Sequence, residues 1–184
     1  MLFAIFDPLG SVPIFLSLTA KMSESQRKKV IKQSLTFAFA LLVAFAYFGW
    51  WLLSFLGITF NDFKIAGGLL LLVLAVEDMV LERRRYRMVE AEELAFVPLG
   101  TPLLAGPGSL VTVMILMKEF NLPVAFLAIV SNTLLAWVIF RTSEKLSTYL
   151  GKTGLRVIMK IMGLIIISFA VKFIREGISD AFLT

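Results

Sequence analysis

Neither cysteine nor histidine occurs in the 184 residues. The first absence excludes a disulfide framework, a thiolate zinc site and an iron–sulfur cluster. The second excludes a histidine-ligated haem, Ser-His-Asp catalysis and His-x-x-x-His metal sites. Charge is scarce too: 17% of residues are charged, against about one quarter in soluble domains. The formal charge of +5 sits mainly in short connecting stretches. No basic stripe interleaved with aromatic residues exists outside them, so nucleic acid is not an expected partner.

Apolar residues are abundant, at 59% with a mean hydropathy of +0.89. About 20 apolar residues cross a bilayer as a helix, so six spans would consume roughly 120 residues. No room is left for a separate soluble domain, and one integral membrane domain is expected. Six apolar runs stand out, at Leu2–Ala20, Gln33–Gly57, Lys64–Leu81, Leu94–Met117, Leu122–Phe140 and Val157–Lys172. Their lengths suit helices, and the alternating ten-residue pattern of a membrane barrel is absent. The first run does not read as a signal peptide, because it lacks a basic start and Asp7, Pro8 and Pro13 interrupt it.

The connections are asymmetric in charge. Lys21, Arg27, Lys28, Lys29 and Lys32 follow the first run, Arg83, Arg84, Arg85 and Arg87 the third, and Arg141, Lys145, Lys152 and Arg156 the fifth. Together they make 13 of the 18 basic residues. The positive-inside rule places these loops in the cytoplasm and both termini outside. Tyr47, Trp50 and Trp51 then suit an outer interfacial belt. The longest polar stretch, Leu81–Glu93, reads as a solvated cytoplasmic connector whose basic half precedes its acidic half.

The chain also resembles itself. Gly10-Ser11 matches Gly108-Ser109 at an offset of 98, Ser34-Leu35-Thr36 matches Ser131-Asn132-Thr133 at 97, and Lys64-Ile65-Ala66-Gly67 matches Lys160-Ile161-Met162-Gly163 at 96. Three ordered matches divide the chain into a first three-span repeat (1–81), a linker (82–93) and a second repeat (94–184). Three spans are an odd number, so the second repeat enters the membrane from the opposite side. The expected fold is therefore an all-α polytopic membrane protein of two inverted three-helix repeats, an arrangement shared by many secondary transporters.

Helix breakers fall at matching places. The first run carries DPLGSVP from Asp7 to Pro13, and the fourth carries PLGTPLLAGPGS from Pro98 to Ser109. Proline removes an amide and clashes with the preceding turn, while glycine weakens a helix interior. Spans one and four should therefore be broken helices, facing protein or a watery cavity instead of lipid. A broken helix offers free amides to an anion and free carbonyls to a cation. Two crossed breaks suit a small zwitterion, and the small residues Gly10, Ser11, Ala105, Gly106, Gly108 and Ser109 admit a close ligand. Residue spacing does not choose an amino acid over other small solutes.

The strings DPLGSVPIFLSLT, FKIAGGLLLL, VPLGTPLLAGPGS and KIMGLI resemble the MarC-type membrane proteins over nearly the whole chain. That family includes small neutral amino acid transporters. The resemblance implies six spans with a broken first helix in each half, and residence in the plasma (inner) membrane of a prokaryote. It also implies carriage of glycine- or alanine-like amino acids, driven by a proton or sodium gradient without a cofactor. The substrate site expected from the two breaks comprises Asp7, Pro8, Gly10, Ser11, Ala105, Gly106, Pro107, Gly108 and Ser109, with Asn132 beside them. One departure is the start: six residues precede Asp7, fewer than family members usually have. The first half-helix is thus expected to fall short of the outer surface.

Asp7 is the one acid within an apolar run near a break. It is a candidate for binding the substrate amine or for proton coupling, and equally for an Asp-Pro helix cap worth about 1 kcal/mol. Glu77 and Asp78 fall near the cytoplasmic end of the third run, where pairing with Arg83–Arg85 is expected. Asn132 is the costliest residue of its span to leave against lipid, so it should bond across helices or touch the substrate. Thr101 and Thr112 read as packing residues, and Gly67, Gly68 and Gly163 as points of close helix contact. A channel using the two breaks as a filter is the alternative function. An enzyme is not expected, since Asp7 has no obvious partner acid inside the apolar runs.

Overall fold

The computed structural model describes residues 1–80 and 104–182. Seven helices make up the described part: α1 (Leu2–Phe6), α2 (Val12–Leu18), α3 (Glu24–Phe55), α4 (Phe60–Val80), α5 (Pro107–Glu119), α6 (Leu122–Arg141) and α7 (Ser143–Phe182). No strand occurs among the described residues. The linker 82–93 and the first part of the fourth run lie outside them.

The first apolar run is not one helix. The chain leaves α1 at Asp7, whose backbone is left-handed (φ 46°, ψ 58°), and resumes helix at Val12. Pro8 cannot donate to the preceding turn, so α1 stops before it. Pro13 lies in the first turn of α2, where its missing amide costs nothing.

The long helices begin on side-chain caps. At α3, Ser23 and Gln26 form a reciprocal capping box. At α4, Asp62 accepts from the amide and hydroxyl of Thr59 at 3.0 and 2.5 Å, and the Thr59 hydroxyl accepts from the Asp62 amide at 3.1 Å. At α6, Asn121 accepts from the Val124 amide at 3.1 Å. The 32 residues of α3 would extend about 48 Å, well beyond a hydrocarbon layer of about 30 Å. In its first turns, Glu24, Lys28, Lys29 and Lys32 are exposed and thus available to water. In α7, Gly151 has a left-handed φ of 65° that only glycine adopts without strain. It separates a short leading helix from the apolar stretch Thr153–Phe182.

Among the described residues, three helices are long and apolar enough to cross a membrane: Glu24–Phe55, Leu122–Arg141 and Thr153–Phe182. In α4 the charged residues Asp62, Lys64, Glu77 and Asp78 flank an uncharged stretch from Ile65 to Val76. The outer surface of the bundle is apolar, with Phe48, Trp51, Phe55, Leu127, Leu134 and Leu164 all exposed. In water such a surface would aggregate, whereas hydrocarbon covers it without cost.

Helices α4 and α7 form the most extensive pair among the described residues. A Cβ at Gly68 would meet the Ala170 carbonyl at 2.9 Å, one at Gly177 would meet Ile65 at 2.6 Å, and one at Gly163 would meet Met79 at 2.9 Å. These contacts place the start of α4 beside the end of α7, so the two run antiparallel. Gly67 likewise admits Val111 of α5, since a Cβ there would lie 2.4 Å from it. Gly68 and Gly177 let α4 and α7 approach to backbone contact, while Gly67 and Gly163 make room for the side chains of Val111 and Met79. Helices α3 and α6 also pack together. One core cluster joins Leu2, Phe6, Phe15, Leu35, Leu42, Leu104, Ala105, Ile129 and Phe140, and a second joins Ile5, Leu71, Val111, Met114 and Phe173.

Candidate functional site

The break in the first run is a built turn. The Asp7 carboxylate accepts from the Gly10 amide at 2.9 Å, and the Asp7 carbonyl accepts from the Ser11 amide at 3.1 Å. A Cβ at Gly10 would lie 2.2 Å from the carboxylate, so the turn needs glycine there. Asp7 therefore caps its own loop. It is half-buried, while Pro8, Gly10 and Ser11 are buried. Ser11 precedes α2 without a side-chain capping bond.

The second breaker cluster opens α5. Gly106 is its N-cap in an extended conformation, no side chain among the described residues caps the helix, and Pro107 occupies the first turn. Ala105, Gly106, Gly108 and Ser109 are buried, and Pro107 is half-buried. The Ser109 hydroxyl donates to the Leu104 carbonyl at 2.9 Å, which folds the lead-in back over the first turn. Thr112 donates to the Gly108 carbonyl at 2.7 Å, so it bonds within its own helix. A Cβ at Gly108 would lie 2.8 Å from both Ile5 and Leu71. The start of α5 is thus wedged between α1 and α4, next to the residues that lead into Asp7.

On α6 the buried residues Ala125, Ile129, Asn132, Ala136 and Phe140 form one stripe. Asn132 is 4% exposed, and among the described residues neither its carboxamide nitrogen nor its oxygen has a hydrogen-bond partner. Burying such a group unpaired costs about 1–3 kcal/mol, and natural proteins keep few of them. Phe120 and Asn121 alone connect α5 to α6. Asn132 stands 11 residues past Asn121, and Ser109 stands 11 before Phe120. In an antiparallel helix pair with so short a connection, these positions share one level. The unpaired amide therefore lies at the height of the α5 N-terminus.

The flanking residues of the motif behave differently. Ser131 is exposed and donates to the Leu127 carbonyl at 2.7 Å, and Thr133 donates to Ile129 at 2.8 Å. Ser34 is buried and Thr36 exposed. Leu35, the counterpart of Asn132 in the first half, lines a small void with Phe15, Ile31, Ser34, Leu104 and Phe140. Its volume of about 10 Å³ is near that needed for a single water. The Arg83–Arg85 cluster expected to pair with Glu77, and Thr101, lie outside the described residues.

Two charged clusters were not foreseen in the sequence. Lys64 is buried at 6% exposure and pairs with Glu176 at 3.0 Å and Asp180 at 3.5 Å, joining α4 to the end of α7. At the opposite end of α7, Arg27 pairs with Glu144 and donates to the Thr19 carbonyl at 3.1 Å. Among the described residues, no group of three or more acidic side chains is placed to hold a metal ion.

Long apolar helices packed through glycines, with an outer surface of exposed large hydrophobic side chains, define the class as an integral membrane protein. The sequence matches the MarC family of integral membrane proteins over residues 1–182, and the chain belongs to that family. It is 37% identical to a UPF0056 membrane protein of Methanocaldococcus jannaschii, over 99% of this chain and 94% of the relative. It is 33% identical to one from Pyrococcus abyssi, covering 98% and 92%, and 32% identical to one from Aquifex aeolicus, covering 97% and 89%. No solved structure matches.

Proposed function

We propose that the protein is a secondary transporter of small neutral amino acids such as glycine and alanine, working by alternating access in the plasma membrane of a prokaryote. The observation that carries this reading is Asn132, a buried carboxamide without a partner among the described residues, level with the start of α5, which no described side chain caps. A neutral amide offers one acceptor and two donors, and the first-turn amides of α5 favour a negative group. Together they fit the two ends of a zwitterion. The buried Gly106, Gly108 and Ser109 on one side, and Pro8, Gly10 and Ser11 on the other, let a small solute reach the backbone.

The architecture supports the reading as well. The antiparallel α4–α7 pair and the packing of α3 on α6 join helices that are counterparts in the two proposed repeats. Inverted repeats place counterparts in opposite senses, with the substrate between them near the midplane. The void beside Leu35 is far smaller than glycine, so a solute would enter there only when helices part. A proton or sodium gradient supplies the driving force, with Asp7 the coupling candidate, and no cofactor takes part. Both termini face outward and the basic loops face the cytoplasm.

Ligand-dependent stability tests this reading in purified protein. Glycine or alanine should raise the thermal midpoint in proportion to the logarithm of its concentration once above the dissociation constant. The rise should vanish in Asn132→Leu. A midpoint insensitive to both amino acids up to high millimolar concentration would refute the substrate class.

A further inference from the structure

We propose that Arg27, Glu144 and the Phe15–Phe140 ring pair form a gate that closes the basic-loop end of the bundle. This rests on the transporter reading and names the groups that would control access to its site. Four segment ends meet here: the finish of α2, the start of α3, the finish of α6 and the start of α7. Outermost, the Arg27 guanidinium pairs with Glu144 of α7 and donates to the Thr19 carbonyl at the C-terminus of α2, at 3.1 Å. One turn further along α3 from Arg27 comes Ile31, and one more brings Leu35. At that depth Phe15 and Phe140 meet with ring centroids 5.1 Å apart. They line the void together with Ile31, Ser34, Leu35 and Leu104. Asn132 is eight residues before Phe140 on the same stripe of α6, or about 12 Å deeper. Ion pair, aromatic plug, void and unpaired amide therefore follow one another along the bundle.

Three features suit a contact that opens. The Arg27 side chain is 15% exposed and its Nε has no partner among the described residues, so its burial is incompletely compensated. Glu144 is 67% exposed, and ion pairs this wet contribute little to stability. The contact also crosses the proposed repeats, since Arg27 and Thr19 belong to the first and Glu144 to the second. At the 97-residue offset, Arg27 corresponds to Val124 and Glu144 to Tyr47. The ionic latch therefore has no symmetric copy, and it distinguishes one end of the bundle from the other.

The absence of native cysteine makes the test direct. Ser34→Cys places a thiol in the void, and a membrane-impermeant thiol reagent is applied to inside-out or right-side-out vesicles. Arg27→Gln and Glu144→Gln should each speed labelling from the basic-loop face by about fivefold or more, the low end of conformational coupling. Labelling from the other face should not change. The swap Arg27→Glu with Glu144→Arg should bring the rate back toward that of the parent. Unchanged labelling in both single variants overturns the gate. So does an equal rise from both faces, which marks unfolding, or a swap as reactive as the singles. The readout needs no solute: one-sided opening without any uptake refutes the transporter reading alone, and uptake with unchanged labelling refutes the gate alone.

Discussion

Replacing Asn132 with leucine should make the protein more stable and less active. The carboxamide is buried with both polar atoms unpaired among the described residues. Each unsatisfied group costs about 1–3 kcal/mol, and leucine removes that cost while adding apolar burial. The side chain is tolerable by analogy, because Leu35 holds the equivalent place in the first half, buried at 3% exposure. Allowing for imperfect fit, the net gain should be about 1–3 kcal/mol. At roughly 2–4 °C per kcal/mol for a chain of this size, the thermal midpoint should rise by several degrees. Circular dichroism in detergent measures it, beside amino acid uptake by the same preparation. Stability gained with uptake lost is the pattern of a polar group kept for a ligand. A fall in the midpoint would refute the reasoning, since it would mean that Asn132 holds the fold through a bond to the rest of the chain. Full uptake in the variant would refute it equally.

Asp7→Ala should lose about 1 kcal/mol with the Gly10 cap, whereas Asp7→Asn keeps an acceptor and should stay within a few tenths, as read by thermal unfolding. Gly68→Val should destabilise by about 2 kcal/mol or more, because its side chain would meet the Ala170 carbonyl and Ile174; the same unfolding assay reads it. At the start of α4, ahead of the apolar run, bonds from the hydroxyl and amide of Thr59 hold the Asp62 carboxyl below its ordinary range. A depressed folded-state pKa adds stability above the unfolded value near 3.9 and loses it as pH falls through the folded one. Thr59→Ala lets the folded-state pKa rise toward the unfolded one, so the acid-dependent loss should become smaller and end at a higher pH with its onset unchanged, which unfolding measured across pH 2 to about 6 would reveal.

The membrane class was legible because composition and run length depend on no tertiary detail. A turn separates α1 from α2 at Asp7–Ser11 because proline and glycine act through the local backbone, whereas the matching break and the six inverted spans expected from the repeat fall partly outside the described residues. Gly67, Gly68 and Gly163 were read correctly as contact points, since small residues in apolar helices have few other uses. Gly177 was missed because it falls beyond the run ending at Lys172. The long polar start of α3 lacks an apolar run and resembles a loop in composition, and its helix signal is confined to the Ser23–Gln26 capping box. Thr112 proved to bond within its own helix. The Lys64–Glu176–Asp180 and Arg27–Glu144 pairs were not legible. Each joins residues more than 100 positions apart, and only the register of packed helices brings them together. For Asn132 the sequence offered two roles, bonding across helices or meeting a substrate. The absence of a described partner favours the second.

Gradient-driven accumulation tests the central claim most directly. The protein would be reconstituted into proteoliposomes, and uptake of labelled glycine and alanine followed under an imposed proton or sodium gradient. The account predicts accumulation above the external concentration under one gradient, collapse when that gradient is dissipated, and loss in Asn132→Leu. The Asp7→Asn protein, with its cap retained, should lose coupling if Asp7 carries the proton. Equilibration that never exceeds the outside concentration, accompanied by unitary currents, would instead show a channel and contradict the account.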